Sequence, residues 1–278
     1  MEKVKIITDS TADLPDYIIK KHDIEVLPLL VSINEESYKD GIDINTHTLL
    51  AKMASSDTFP KTAQVIPQRF IECYKKYIDM GYKVVSIHLS SKMSGTYQSA
   101  CIAKETLETE NIVVIDSLNV TSGLGLLVLK AAKLKDMGLN IEEIEKELLK
   151  IIPHIKSALV FNSLDNLVKG GRLSKTAGII GNILSIKPIL AVENGEMVVI
   201  DKVRGSKKAI RAILDYGDKK GIKEGEDVIL LEIASKDVSS LREELKLRGN
   251  AFIECEVGCV VGVHAGPDAC GIFFVEDF

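Results

Sequence analysis

The sequence predicts an α/β protein with two domains: a parallel-sheet, Rossmann-like unit over residues 1–154 and a mixed α/β unit over residues 155–278. Three observations predict it. Short apolar runs alternate with helical patterns through the first half, as in a parallel sheet covered on both faces. The second half carries an Asn194-Gly195 hairpin signal and further apolar runs separated by single helices. The chain has 278 residues, 46% hydrophobic and 27% charged, enough for two sizeable cores.

Taken in order, Val4–Thr8 reads as a strand that ends in "TDSTADLP", and Ile24–Ile33 as a second strand. Asn45–Met53 reads as a helix with Thr46 as its cap. Phe70, Ile71, Tyr74 and Ile78 fall on one face of a helix over Gln68–Asp79. Val84–Leu89 is a third strand, which hands over through a serine-rich turn to a helix over Ala100–Leu107. Ile112–Asp116 is a fourth strand. "TSGLGLLVLKAAKLKDMG" is a long helix, and "NIEEIEKELLKIIPHI" another, with Asn140 as N-cap and Pro153 as its stop. "SALVFNSLDNLVKGGRLS" gives a strand, a short helix and a Gly-Gly-Arg turn. "IKPILAVENGEMVVIDKVR" is the hairpin. A helix over Lys207–Tyr216, a strand in "DVILLEIA", a helix in "SSLREELKLRG" and a strand in "AFIECEVG" follow. "CVVGVHAGPDACGIFFVED" reads as two apolar strands around a loop marked by glycine and proline. No linker rich in Pro, Gly or Ser divides the halves, so they are expected to pack directly on each other.

The net charge of −5 argues against a nucleic-acid partner. The five cysteines form no CxxC pair, so they read as reduced core residues and no metal site is expected. The N-terminus lacks the apolar segment of a signal peptide, and no stretch approaches the ~20 apolar residues of a membrane span. The expected location is cytoplasmic, with no transmembrane segment.

Three strand ends carry hydroxyl and acidic groups: Thr8–Thr11, Ser90–Thr96 and Asp116-Ser117. Each alone suits a turn or an N-cap. Together at one sheet edge they suit a binding site, because ligands of such sheets lie outside the carboxyl ends of the strands. In "LSSKMSGTYQSA" the hydroxyls around Ser94 and the N–H groups of a strand-to-helix turn make a neutral cradle for an anion. The turn lacks both the GxxxxGK[ST] of a P-loop and the GxSxG of a nucleophile elbow. Thr62 sits in a proline-flanked extended segment. Arg172 follows Gly170-Gly171, which permit close backbone approach, and His264 lies in a loop whose glycines could aim its ring into a cleft. These residues support a site for an anionic head group. A serine hydrolase built on Ser94 and His264 is the enzymatic alternative.

The motifs "ITDSTADLP", "HLSSKMSGTYQSA", "VIDS", "LVKGGRLSK", "IKPIL" and "VGVHAGPDACGIFF" together resemble the DegV family of bacterial fatty-acid-binding proteins. The resemblance runs over nearly the whole chain. It implies a two-domain α/β fold that buries a long-chain fatty acid, such as palmitate, between the domains and uses no cofactor. It further implies that the carboxylate is presented to a separate ATP-binding kinase subunit, which makes acyl phosphate for phospholipid synthesis. On this resemblance the chain is no enzyme itself; a lipid sensor with no kinase partner is the other reading. By position, Thr62 and Ser94 resemble the hydroxyls that hold the carboxylate, and His264 and Arg172 the rest of the head-group network. Arg204 resembles a basic position expected to face the kinase. The chain departs from the family pattern in two places. Thr62-Ala63-Gln64-Val65 replaces Thr-Ser-Gln-Pro, and His264-Ala265-Gly266-Pro267-Asp268 replaces His-Thr-Gly-Pro-Gly, which brings a negative charge close to the head-group histidine.

Overall fold

The computed structural model describes residues 2–174 and 186–278. Strand β1 (Val4–Asp9) is buried at every position, as a central parallel strand must be. With β2 (Glu25–Leu27), β6 (Lys83–His88) and β7 (Ile112–Asp116) it forms a four-stranded parallel sheet in the order β2-β1-β6-β7. The strand expected over Ile24–Ile33 is two strands. Proline has no N–H to give a sheet ladder, and Pro28 marks the point where the chain leaves β2. It resumes as β3 (Leu30–Ile33), in a separate antiparallel sheet β4-β3-β5 with β4 (Glu36–Lys39) and β5 (Lys61–Ala63). Sequence reading missed β4, which is short and largely exposed.

Around these strands run α1 (Asp16–Lys21), α2 (Thr46–Ser55), α3 (Pro67–Asp79), α4 (Thr96–Leu107), α5 (Ser122–Asp136) and α6 (Ile141–Ile151). Asn45, rather than Thr46, caps α2: its side chain accepts the Thr48 N–H at 2.9 Å. The Thr46 hydroxyl is turned instead to the Val257 carbonyl at 2.6 Å. Asn140 and Glu143 close a reciprocal capping box on α6.

The second half forms a six-stranded mixed sheet in the order β10-β9-β8-β13-β11-β12. Its strands are β8 (Ile155–Phe161), β9 (Ile186–Glu193), β10 (Glu196–Arg204), β11 (Ile229–Ile233), β12 (Ile253–Glu256) and β13 (Ala269–Val275). Helices α7 (Asp165–Lys169), α8 (Ser206–Lys220), α9 (Val238–Leu247) and α10 (Cys259–Ala265) complete it. The last of these is a correction: the segment expected as an apolar strand before the histidine is a helix, so His264 stands in its last turn rather than in a loop. Cys259, Val260, Gly262, Val263 and Ala265 are all buried, so α10 is buried nearly all round, which is how an apolar helix inside a protein reads in sequence.

Helix α5 holds the halves together. Eleven of its 15 residues are buried, and it packs on β1 and β6 of the parallel sheet and on β8, β11 and β13 of the mixed sheet. One hydrophobic cluster therefore runs from Ile6 and Ile87 through Leu124 and Leu127 to Leu159 and Phe273. The Asn194-Gly195 turn of the hairpin lies against the serine-rich turn, where Ser90 Oγ donates to the Gly195 carbonyl at 2.8 Å.

Candidate functional site

The candidate residues divide into two groups. Asp9 and His88 are fully buried structural residues. Asp9 accepts from the Thr11 N–H at 3.0 Å, from the Leu89 N–H at 3.1 Å and from the Thr11 hydroxyl. His88 bridges Asp9 (3.0 Å) and Ser86 (2.7 Å), and Tyr74 donates to Ser86 at 2.8 Å. This Ser-His-Asp order has the connectivity of a hydrolytic triad, but its serine and its histidine are both fully buried, out of reach of a substrate. Asp116 accepts the Ser91 and Leu118 N–H groups, as a turn former does.

The second group opens on a cavity of about 170 Å³ between the two large sheets. Thr62, Ser94, Arg172 and His264 all line it, although they lie as far apart in sequence as Thr62 and His264. Thr62 is carried by β5, whose register Val31↔Thr62 is set by β3. Its hydroxyl lies 3.0 Å from His264 Nε2. The backbone is fixed despite the departure at Ala63 and Val65, because Val65 is itself a fully buried core residue. Two residues on, the Gln64 amide comes so close to Gly95 that a Cβ there would lie 2.1 Å from its Oε1. Ser94, at the entry to α4, shares a 3.0 Å hydrogen bond with the Thr96 hydroxyl and accepts the Thr96 N–H at 3.3 Å. Arg172 reaches back across the cavity rim. Its Nε and Nη2 donate to the Met93 carbonyl at 3.2 and 3.0 Å, and its Nη1 to the Gly170 carbonyl at 2.6 Å.

His264 Nδ1 is buried with no hydrogen-bond partner among the described residues. It faces Gly170, where a Cβ would lie 2.1 Å away, so the Gly-Gly-Arg turn needs a glycine to admit the ring. Burial, and then the positive Arg172, push the imidazole down to about 4, so it is neutral at pH 7. Burial likewise lowers the Arg172 guanidinium. The four polar residues are half-buried, whereas Leu29, Leu89, Val120, Leu159, Phe161 and Ile233 on the remaining wall are buried.

Ser94 pairs with Thr96, and the His264 Nε2 is turned to Thr62, so no base is held on the Ser94 hydroxyl. Asp268 is turned away from the cavity; its carboxylate accepts the Lys236 N–H at 3.0 Å. Arg204 is exposed at the end of β10 and is not part of the cavity wall. Met197, earlier on the same strand, does line the cavity. Sequence reading missed it, because nothing local separates it from the other alternating residues of a hairpin arm. No helix among the described residues is long and apolar enough to cross a membrane.

Residues 3–277 match the family model described as "Uncharacterised protein, DegV family". A DegV domain-containing protein of Clostridium acetobutylicum is 58% identical over 279 residues, covering 100% of both chains. A solved DegV family protein from Thermus thermophilus, described by its fatty acid binding, superposes with a TM-score of 0.91 at 28% identity, covering 99% of this chain and 100% of that one. A stearic acid-binding protein from Eubacterium ventriosum superposes with a TM-score of 0.87 at 25% identity, covering 99% and 98%. The motifs, the paired sheets and these matches lead to one assignment: the chain belongs to the DegV family.

Proposed function

We propose that the protein binds a long-chain fatty acid, with the acyl tail in the cavity, the carboxylate at the Thr62 and Ser94 hydroxyls, and His264 and Arg172 completing the head-group network. One observation carries this reading: four polar residues scattered through the sequence meet at the half-buried side of a cavity whose other walls are mostly apolar, with Thr11, Gln64 and Thr121 as further polar lining. The relatives described as fatty acid-binding proteins support it. In this reading residues 1–154 and 155–278 act as two domains with the ligand between them.

The energetics agree. A C16 tail buries about fifteen carbons, each worth roughly 0.8 kcal/mol, so the gross gain is on the order of 10 kcal/mol before the costs of association. The tail supplies most of the affinity. The head-group residues set orientation, each contributing roughly 1–3 kcal/mol to a charged acceptor. A carboxylate held by hydroxyls stays nucleophilic, as attack on a phosphorus atom requires. The finer role follows: the chain presents the acid to a separate ATP-binding kinase subunit that forms acyl phosphate for phospholipid synthesis, with exposed Arg204 on the partner's side, in the cytoplasm.

Thr62→Val and Ser94→Ala are each expected to weaken palmitate binding about tenfold or more by titration calorimetry, with melting temperature little changed. Unchanged affinity in both variants would remove the head-group assignment. Mass analysis of lipid extracted from the purified protein identifies the acyl chain. ATP-dependent acyl phosphate formation on adding a candidate kinase subunit tests the presenting role; with none formed, the lipid-sensor reading replaces it.

A further inference from the structure

Helix α10 begins at a residue with no side chain to cap it, Gly258. Two carboxylates from the other half of the chain take its first N–H groups. Asp13 Oδ1 accepts the Gly258 N–H at 3.0 Å, and Asp40 Oδ1 accepts the Cys259 N–H at 2.8 Å. The other Asp40 oxygen accepts the Ser10 hydroxyl at 2.8 Å, and that hydroxyl oxygen accepts the Leu29 N–H at 3.1 Å. Asp40 is 3% exposed. Burial raises both carboxyls, and the Asp40 charge raises Asp13 further. Two acids crowded onto one helix start exceed what capping needs, since the positive end of the helix amounts to roughly half a charge.

The other end of the same helix carries His264, and Val260, Val261 and Ala265 between them line the cavity. Gly258 and His264 are six residues apart, a rise of about 9 Å along a rigid rod. A tilt at the start is therefore felt at the ring.

We propose that Asp13 and Asp40 are positioning residues for the head-group histidine: together they pin the start of α10 and so set where His264 meets Thr62. Neither touches the ligand. The role rests on the fatty-acid reading for its effect on binding, but not for its effect on the ring. Gly258 belongs to the same device. A Cβ there would lie 2.7 Å from Asp13 Oδ1 and 3.4 Å from Asp40 Oδ1, so an alanine would push the carboxylates off the helix start while leaving both in the chain.

The test uses the full chain in four variants: Asp13→Ala, Asp40→Ala, Gly258→Ala and Asp40→Asn. The first readout is the affinity for palmitic acid relative to 1-hexadecanol, which shares the tail and lacks the carboxylate. The alanine variants are expected to lower that ratio about tenfold while hexadecanol binding persists. Asp40→Asn is expected to keep the wild-type ratio, because asparagine accepts a helix N–H as well as aspartate does. The second readout needs no ligand: the His264 imidazole, followed by NMR, should titrate higher in the alanine variants as the ring leaves its buried seat. An unchanged ratio and an unchanged titration in Asp40→Ala and Gly258→Ala would overturn the proposal. So would an Asp40→Asn variant as impaired as Asp40→Ala. If the wild-type protein bound no palmitate, the fatty-acid reading would fall, and the histidine titration would still decide the positioning role.

Discussion

Among the four cavity residues, His264 has its chemistry altered by burial and by Arg172. Its titration near 4 in the free protein has a sign that can be checked. The unfolded chain binds the proton between about 6.5 and about 4 and the folded chain does not, so this residue's contribution to stability is lost as pH falls through that window. An NMR titration should place the His264 transition near 4, and addition of palmitate should raise it, because a carboxylate beside the ring favours the imidazolium. A transition at the ordinary imidazole value in the free protein would contradict the burial described here. Thr62, Ser94, Arg172 and His264 were all named from the sequence, since each sits in a motif with its own turn or strand context, and they line one cavity. The contacts that seat them were not legible. Gly170 against His264 and Gln64 against Gly95 are meetings of segments distant in sequence, and a glycine shows only that close approach is allowed, not what approaches.

At the scale of elements, legibility followed locality. Strand Ile112–Asp116 and the cap at Asn140 were read to the residue, because a short β-branched run and a capping box carry their own physics. Asn140→Ala is expected to cost about 1 kcal/mol in denaturant unfolding, with ligand affinity unchanged, since α6 does not line the cavity. The misreadings came where tertiary packing decides. Val260, Val261 and Val263 favour a strand by propensity, yet this segment is helical, buried among Leu49 and Ile233, with its start held by two distant carboxylates. Pro28 could equally have marked an edge within a single strand, and only the pairing of β3 with β5 shows that it ends one sheet and leads to another.

At the scale of the whole molecule, the two larger of its three sheets are built on one shared helix. The change in pattern near residue 155 suggests a boundary between two domains, whereas the hydrophobic cluster that runs across it is not legible in the sequence, because an apolar helix does not announce that it has two clients. Leu127 is fully buried in α5, and Leu127→Ala is expected to cost roughly 2–5 kcal/mol. Both halves should then unfold in one transition at lower temperature. Calorimetry, together with a tryptophan introduced into each half of this Trp-free chain, tests it; two separated transitions would show that α5 does not couple the sheets. The hairpin tip resting on Ser90 adds a latch at the rim to the shared helix inside. If the cavity takes an acyl chain as proposed, these two fastenings resist opening the halves to exchange it. The half-buried thioethers of Met93 and Met197 in the cavity wall, unbranched and easily rotated, would then be its swinging doors.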